Sequence, residues 1–508
     1  MIGISDVLES TATYPGDDSG HSYVIGGNKY DAGTYTASVG STWVEGDVIG
    51  VVVDCDGGTI KYYINDVLQT TSTILTTTTW LPAISVYYSD SSIPKYSANF
   101  GQKPFKFPPP EGFQPLNLAN LPSPGMTRPD QYYGISLYTG DGTSPRKIGG
   151  FGFQPDLVWY KERSEARDWQ VYDSVRGVGP AKNLVTNTTY AQTANDDTSY
   201  GYTSSFNRDG FTVTDGTGGG NANIYTNKNG QTYASWCWKA GGNKNTFNID
   251  DVGYSTAAAA GLTGGTITPT GASVGTKQGF SIIKTNLPGS NTASTFSHGL
   301  TQAPDFALVK PTGVNFQWDV YHKSLGKDAY LVLNTTAAQV TGATTVWNST
   351  DPTSSVFHLG DAWTGGVGTN QPVIAYLWHD VPGVQKFGSY TGNQNTNGPY
   401  VEIGFKPALL IIKSSSASST NWRIIDDTRR PYNWGANDST SQGGPWIKIN
   451  SNAAEANERP VDLLSNGFKI QGAWGGDINY DGGTPTYIYM AWAESPMHNL
   501  YGGQSNAR

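Results

Sequence analysis

One stretch occurs three times in this chain, and no other feature constrains the fold as strongly. The copies are Gly152–Asp173 (GFQPDLVWYKERSEARDWQVYD), Gly299–His322 (GLTQAPDFALVKPTGVNFQWDVYH) and Gly404–Asp426 (GFKPALLIIKSSSASSTNWRIID). With Pro155, Pro304 and Pro407 in register, a lysine follows six residues later in each (Lys161, Lys310, Lys413). A tryptophan follows 14, 14 and 15 residues later (Trp169, Trp318, Trp422). The apolar runs LVWY, FALV and LLII have the length and composition of buried strands. The alternating WQVYD, WDVYH and WRIID suit a returning strand with one face covered.

The repeat extends beyond this hairpin. Each copy opens on Gln131, Gln278 or Gln385 and closes on an aromatic strand ending at Trp238, Trp378 or Trp492. Between them lies a third strand signal: DGFTV (209–213), SSVFHL (354–359) or NGFKI (466–470). Three tandem units of roughly 105 to 115 residues predict separate cores in an elongated or stacked molecule. Positions shared by all copies, the two tryptophan sets above all, read as core aromatics. The three lysines close the first hairpin strand, where they could pair with a carboxylate.

Composition bears on class. Of 508 residues 14% are charged, against a usual ~25%, while 63 Gly and 28 Pro separate short β-like runs. The expected fold class is all-β, and 37% hydrophobic with 12% aromatic content is too rich for disorder. A net charge of −9 argues against nucleic-acid binding, which needs a basic footprint. No apolar run approaches the ~18 residues of a membrane span, and MIGISDVLES shows no basic leader. Cys55 and Cys237 lie in different expected domains; a disulfide stays open, with two buried free thiols the better reading. Six scattered histidines show no ligand spacing, so no metal and no cofactor is expected.

Residues 1–107 carry their own motifs: Gly46–Gly50 (GDVIG), Asp54–Thr59 (DCDGGT), Asn65-Asp66, Pro82-Ala83 and Asn99–Phe105 (NFGQKPF). These resemble the SPRY domain, a curved β-sandwich that acts as a binding module through loops at one end. In that family strands precede the I-G-I strand, whereas here Ile2-Gly3-Ile4 follows Met1 directly. Either its first strands are lacking and the edge is completed by another chain or segment, or the start is internal; an edge left uncovered would invite pairing. Asp54–Gly58 reads as a hairpin turn rather than a calcium loop, which would need further ligands and a closing Glu.

The expected organisation is a SPRY-like β-sandwich at 1–107, a Pro-rich linker at 108–130 and a first β-sandwich-like unit at 131–242. A Gly/Ala/Thr-rich connector follows at 243–277, with a short helix at 256–260, then units at 278–384 and 385–500 and a tail at 501–508. The phrases FGSYTGN (387–393), GPYVEIGFKPALLIIK (398–413), DVYHKSLG (319–326) and YIYMAWAESP (487–496) resemble a domain of unknown function found in virion proteins of tailed bacteriophages, notably marine phages and cyanophages. There it often lies downstream of a SPRY-like domain and is often labelled tail fibre.

No catalytic motif stands out. Adjacent acids such as Asp426-Asp427 would point to opposite faces of a strand. Asp173 and Asp426 recur where the second unit has His322, and they read as strand-end groups bonded to backbone. Binding chemistry is expected where the copies differ, in loops with unmatched aromatics among Asn, Asp, Ser and Gly. Trp347, Trp363, Trp434, Trp446, Trp474 and Tyr480 are the binding candidates, with Tyr200, Tyr202 and Tyr432 in similar loops. That mixture suits sugar recognition or packing against a neighbouring subunit. The resemblance and these loops imply a non-catalytic phage virion structural protein, a tail fibre or receptor-binding component recognising host glycan or protein. The alternatives are a capsid decoration, spike or tail adaptor contacting only other virion proteins and, third, a polysaccharide depolymerase. The expected location is the exposed surface of the virion, in a homo-oligomer for which a trimer is favoured.

Overall fold

Short strands with alternating burial build nearly all of the chain, and the computed structural model is all-β as the composition predicts. It describes residues 1–6, 15–16, 20–76, 80–85, 95–116, 126, 128–192, 194, 196–289, 291–395, 397–430, 433, 445–457, 461–471, 477–479 and 485–496. Two units separate within the expected linker, Met1–Pro122 and Ser123–Arg508.

In the N-terminal unit, Thr59–Ile64 buries Ile60, Tyr62 and Ile64, one face of the strand, against Ile4, Tyr23, Trp43 and Ile74. It is the middle strand of a three-stranded sheet, and its two-residue connection to Val67–Thr73 uses positive φ at Asn65 (49°) and Asp66 (71°). That is the backbone a tight hairpin demands. Asp54 closes the preceding turn by accepting from the Gly57 amide at 2.7 Å. The edge at Ile2-Gly3-Ile4 is completed by other segments of the same chain: Ile2–Asp6 pairs with His21–Val24 on one side and Trp80–Ile84 on the other. Gly3 is required there, since a Cβ would lie 1.9 Å from the His21 carbonyl oxygen. Neither cysteine is bonded, and Cys55 is exposed rather than buried because it sits at the tip of the 54–59 turn.

In the C-terminal unit each copy sets four antiparallel strands in one order. In order across the sheet these are the opening strand, the closing tryptophan strand, the first hairpin strand and the returning strand. They are Tyr133–Thr139, Thr232–Trp238, Leu157–Glu162 and Gln170–Asp173 in copy 1. Copy 2 uses Phe280–Asn286, Pro372–Trp378, Phe306–Pro311 and Asp319–His322. Copy 3 uses Gln385–Thr391, Thr486–Pro496, Phe405–Ser414 and Arg423–Asp426. Register repeats as well: Leu157 faces Trp238, Phe306 faces Trp378 and Leu409 faces Trp492. The third strand signal lies in a smaller second sheet in every copy, as Gly210–Thr214, Val356–Leu359 and Gly467–Gln471.

Alternation along the first hairpin strand divides two cores. Val158 and Tyr160, Ala307 and Val309, and Leu410 and Ile412 face the small sheet of their own copy. Leu157 and Trp159, Phe306 and Leu308, and Leu409 and Ile411 face the other way, into one cluster built from all three copies. Separate cores in a stacked molecule are therefore not what this unit has. The large sheets bury both faces, and their inner faces share a core. The connector is also structured: Phe247–Ile249, Val252–Tyr254 and Gly271–Gly275 extend the large sheet of copy 2. At 256–260 the chain makes a turn, not a helix, with Ala260 donating to the Thr256 carbonyl.

Candidate functional site

At the centre of the shared core the closing tryptophans meet. Trp238, Trp378 and Trp492 form a triangle of edge-to-face pairs with centroid separations of 6.5, 5.9 and 5.6 Å. Around them the other recurring residues lock each copy to the next in a cycle. Trp318 of copy 2 donates its indole N–H to the Val185 carbonyl of copy 1 at 2.9 Å. Trp422 of copy 3 donates to Val332 of copy 2 at 3.1 Å, and Trp169 of copy 1 to Lys448 of copy 3 at 3.0 Å.

The lysines follow the same cycle. Lys310 Nζ bonds the Thr189 carbonyl of copy 1, Lys413 the Thr336 carbonyl of copy 2 and Lys161 the Asn452 carbonyl of copy 3. Each also caps a carbonyl of its own turn, Phe316, Thr420 or Arg167. Carbonyl oxygens, not carboxylates, are thus their partners. A third ring joins the strand ends: Tyr376 Oη donates to Asp173 at 2.7 Å, Trp236 Nε1 to Asp426 at 3.2 Å, and His322 lies 3.3 Å from the Tyr489 carbonyl. Asp173 and Asp426 are each clamped by the arginine three residues on, Arg176 at 2.5 Å and Arg429 at 2.6 Å. Copy 2 changes both members together, to His322 and Leu325.

Burial sets the charges in these rings. It pushes Lys161 and Lys413 down to about 8 and Lys310 to about 7, from an ordinary 10.5. His322 falls to about 4 for the same reason and is neutral at pH 7. The unfolded chain holds the lysine protons up to about 10.5, so from about pH 8 upward unfolding takes up protons and stability rises with pH. Above about pH 10 buried tyrosines such as Tyr376, whose burial raises them, reverse the trend. The thermal midpoint of the C-terminal unit is expected to climb between about pH 8 and 10, with a flatter climb in Lys413→Met. A midpoint that falls across this window in calorimetry would mean the three ammonium groups stay charged in place.

These rings are scaffold, and the surface chemistry lies elsewhere. Of the six binding candidates the structure buries three. Trp347 and Trp363 are 1% and 2% exposed and donate to the Ala329 and Val346 carbonyls within the outer core of copy 2. Trp446 is 3% exposed in the outer core of copy 3, under the Arg423 guanidinium. Their loops fold back because a buried indole removes far more apolar area from water than a small polar residue can. Trp434, Trp474, Tyr480 and Tyr432 lie outside the described residues.

Tyr200 is different. It ends the short helix Asp197–Tyr200, and Gly201 at φ 105° turns the chain where a Cβ would meet Thr226 Oγ1 at 2.5 Å. The buried Asp197 carboxylate holds this turn, accepting from the Ala181 amide and Tyr172 Oη, both at 2.9 Å. The Tyr225 amide then donates to the Tyr200 carbonyl, and the two rings meet edge to face at 5.4 Å. They line a depression of about 220 Å³ with Arg167, Asp168 and Asn452 of copy 3. Asn187 fixes the Asp168 carboxylate at 2.7 Å, and Arg167 Nε lies 3.6 Å from the buried Glu162. A second, larger depression of about 340 Å³, also in copy 1, is lined by Gln131, Tyr132, Gln154, Arg208 and Lys239. Arg167, Asp168 and Tyr225 carry no motif. Their one signal is that Arg167 stands where the other copies have Phe316 and Thr420.

Comparison with known families places both parts of the chain. A model described as a domain of unknown function, DUF7483, matches residues 128–496, and the SPRY domain model matches residues 2–102. No solved structure matches the chain significantly.

Proposed function

The chain belongs to the DUF7483 family, and from that premise we propose that it is a non-catalytic structural protein of a tailed-phage particle, a tail fibre or other receptor-binding component that recognises glycan or protein on the host surface. The attribution to a phage particle is supported by the resemblance of 387–413 and 487–496 to virion proteins. Receptor binding is supported by the N-terminal SPRY domain, a fold that serves as a binding module.

The observation that carries the reading is how the recurring polar groups are used. Asp173 and Asp426 each face an arginine, and the three recurring lysines face carbonyls, so the repeated chemistry builds a rigid frame. Copy-specific residues, Tyr200 and Arg167 among them, are left to meet a ligand. Several chains on one particle would raise the avidity of a weak site, in keeping with a homo-oligomer.

Immunogold labelling with antibody to the full chain tests this on the particles that carry it. Label at fibre tips, with soluble protein blocking adsorption to host cells, is the expected result. Label over the head or tail tube would overturn the receptor-binding assignment in favour of a decoration or adaptor role. New reducing ends after incubation with host capsule would overturn the non-catalytic one.

A further inference from the structure

We propose that the depression at the seam of copies 1 and 3 is a saccharide subsite that holds one uncharged hexopyranose ring between Tyr200, Tyr225, Arg167, Asp168 and Asn452. The proposal rests on the receptor-binding reading and names the ligand class of that surface. Four observations carry it.

The first is the lining. Two tyrosine rings 5.4 Å apart supply an apolar wall for the C–H face of a sugar. Beside them stand a guanidinium, which only donates, and a carboxylate, which only accepts. A sugar hydroxyl does both at once, so neighbouring hydroxyls on one ring satisfy this pair.

The second is preorganisation. Asn187 holds the Asp168 carboxylate, the Asp197 carboxylate holds the turn under Tyr200, and Tyr225 is tied to the Tyr200 backbone. The buried Arg167 Nε faces the buried Glu162 carboxylate at 3.6 Å, and Arg167 Nη1 donates to the Ala166 carbonyl at 3.3 Å, so the guanidinium is held in place.

The third is size and charge. About 220 Å³ falls below the ~300–1,000 Å³ of pockets that enclose a whole small molecule, so one ring enters and the rest of a glycan stays outside. The lining carries one guanidinium, Arg167, and one carboxylate, Asp168, so it offers an acidic sugar no net positive charge and suits a neutral one.

The fourth is internal comparison. At the Arg167 position copy 2 has Phe316, whose ring lies 6.2 Å from Trp363. Copy 3 has Thr420 there, and the adjacent Asn421 and Arg423 are bonded to Asp477. Each copy thus carries a different residue at this position, and the charged one is in copy 1.

The test is saturation-transfer NMR on the full chain with the methyl glycosides of glucose, mannose and galactose, and with sialic acid as the charged control. At least one neutral glycoside is expected to bind saturably. Tyr200→Ala and Arg167→Ala should each weaken it about tenfold, while Tyr190→Ala, at an exposed tyrosine outside the depression, leaves it unchanged. Absence of any neutral glycoside signal, preference for sialic acid, or binding that survives both substitutions would overturn the subsite. Adsorption separates this from the wider reading. If wild-type and Tyr200→Ala protein block host adsorption equally, the subsite is wrong and receptor binding stands. If wild-type protein blocks nothing, the receptor-binding reading fails as well.

Discussion

Trp422→Ala is expected to destabilise the whole of Ser123–Arg508, not copy 3 alone, by the ~3–5 kcal/mol typical of truncating a buried aromatic. The indole is fully buried in the core that all three copies share, and its N–H satisfies the Val332 carbonyl of copy 2. Removing it opens a cavity on the copy 3 side and takes a donor from the Val332 carbonyl on the copy 2 side, which keeps only the Thr335 amide and hydroxyl at 3.3 Å. The damage is thus placed on both sides of a seam. The N-terminal unit has its own core around Tyr23, Tyr62 and Trp43 and should melt at its wild-type temperature. In calorimetry one transition should move and one should stay. A trace in which copies 1 and 2 melt at their original temperature while copy 3 melts early would contradict the shared core.

The second large effect concerns the strand-end clamp. Asp426 accepts from Arg429 Nε at 2.6 Å, from the Arg429 amide at 2.8 Å and from Trp236 of copy 1, with both charged side chains fully buried. Arg429→Leu leaves that carboxylate without its counter-charge, an arrangement that costs about 3–5 kcal/mol. Copy 2 solves the same site without charge, through a neutral His322 that accepts from the Ser324 amide at 3.1 Å and stands over the Tyr489 carbonyl, with Leu325 in the arginine's place. The double variant Asp426→His with Arg429→Leu writes that solution into copy 3. It should recover a measurable part of the loss, a coupling within the ~0.5–3 kcal/mol of contacting pairs. Urea denaturation of the two single variants and the double closes the cycle. Strictly additive losses would mean that the pair does not act as a unit.

Much of this was legible in the sequence because the repeat supplied a comparison within one chain. The hairpin that each copy shares, the core role of Trp169, Trp318 and Trp422, and the all-β class follow from positions that recur and alternate. Closure of the copies on one another was not legible. The partners of Lys161, Lys310 and Lys413 are backbone carbonyls of another copy, and a carbonyl leaves no mark on residue identity. The expectation that unmatched aromatics lie at the surface failed at Trp347, Trp363 and Trp446 for a related reason. Each copy fills its outer core from its own loops, so a residue can be copy-specific and still buried. Tyr200 kept the expected half-exposed place, and its neighbours Arg167 and Tyr225 became visible only once the fold brought 167, 200 and 225 together.

The central claim is that the three copies stand only as one closed body. Its most direct test is to express residues 385–500 alone and record circular dichroism, amide-proton dispersion and molecular mass. Without their partners, the Trp422 indole loses its acceptor on Val332, Lys413 loses Thr336, and Trp492 loses Trp238 and Trp378. The predicted result is a fragment that is unfolded as a monomer, or that folds only by assembling with further copies of itself. A monomeric fragment with dispersed amide resonances and a cooperative melt would show that each copy carries a sufficient core, and would contradict the claim.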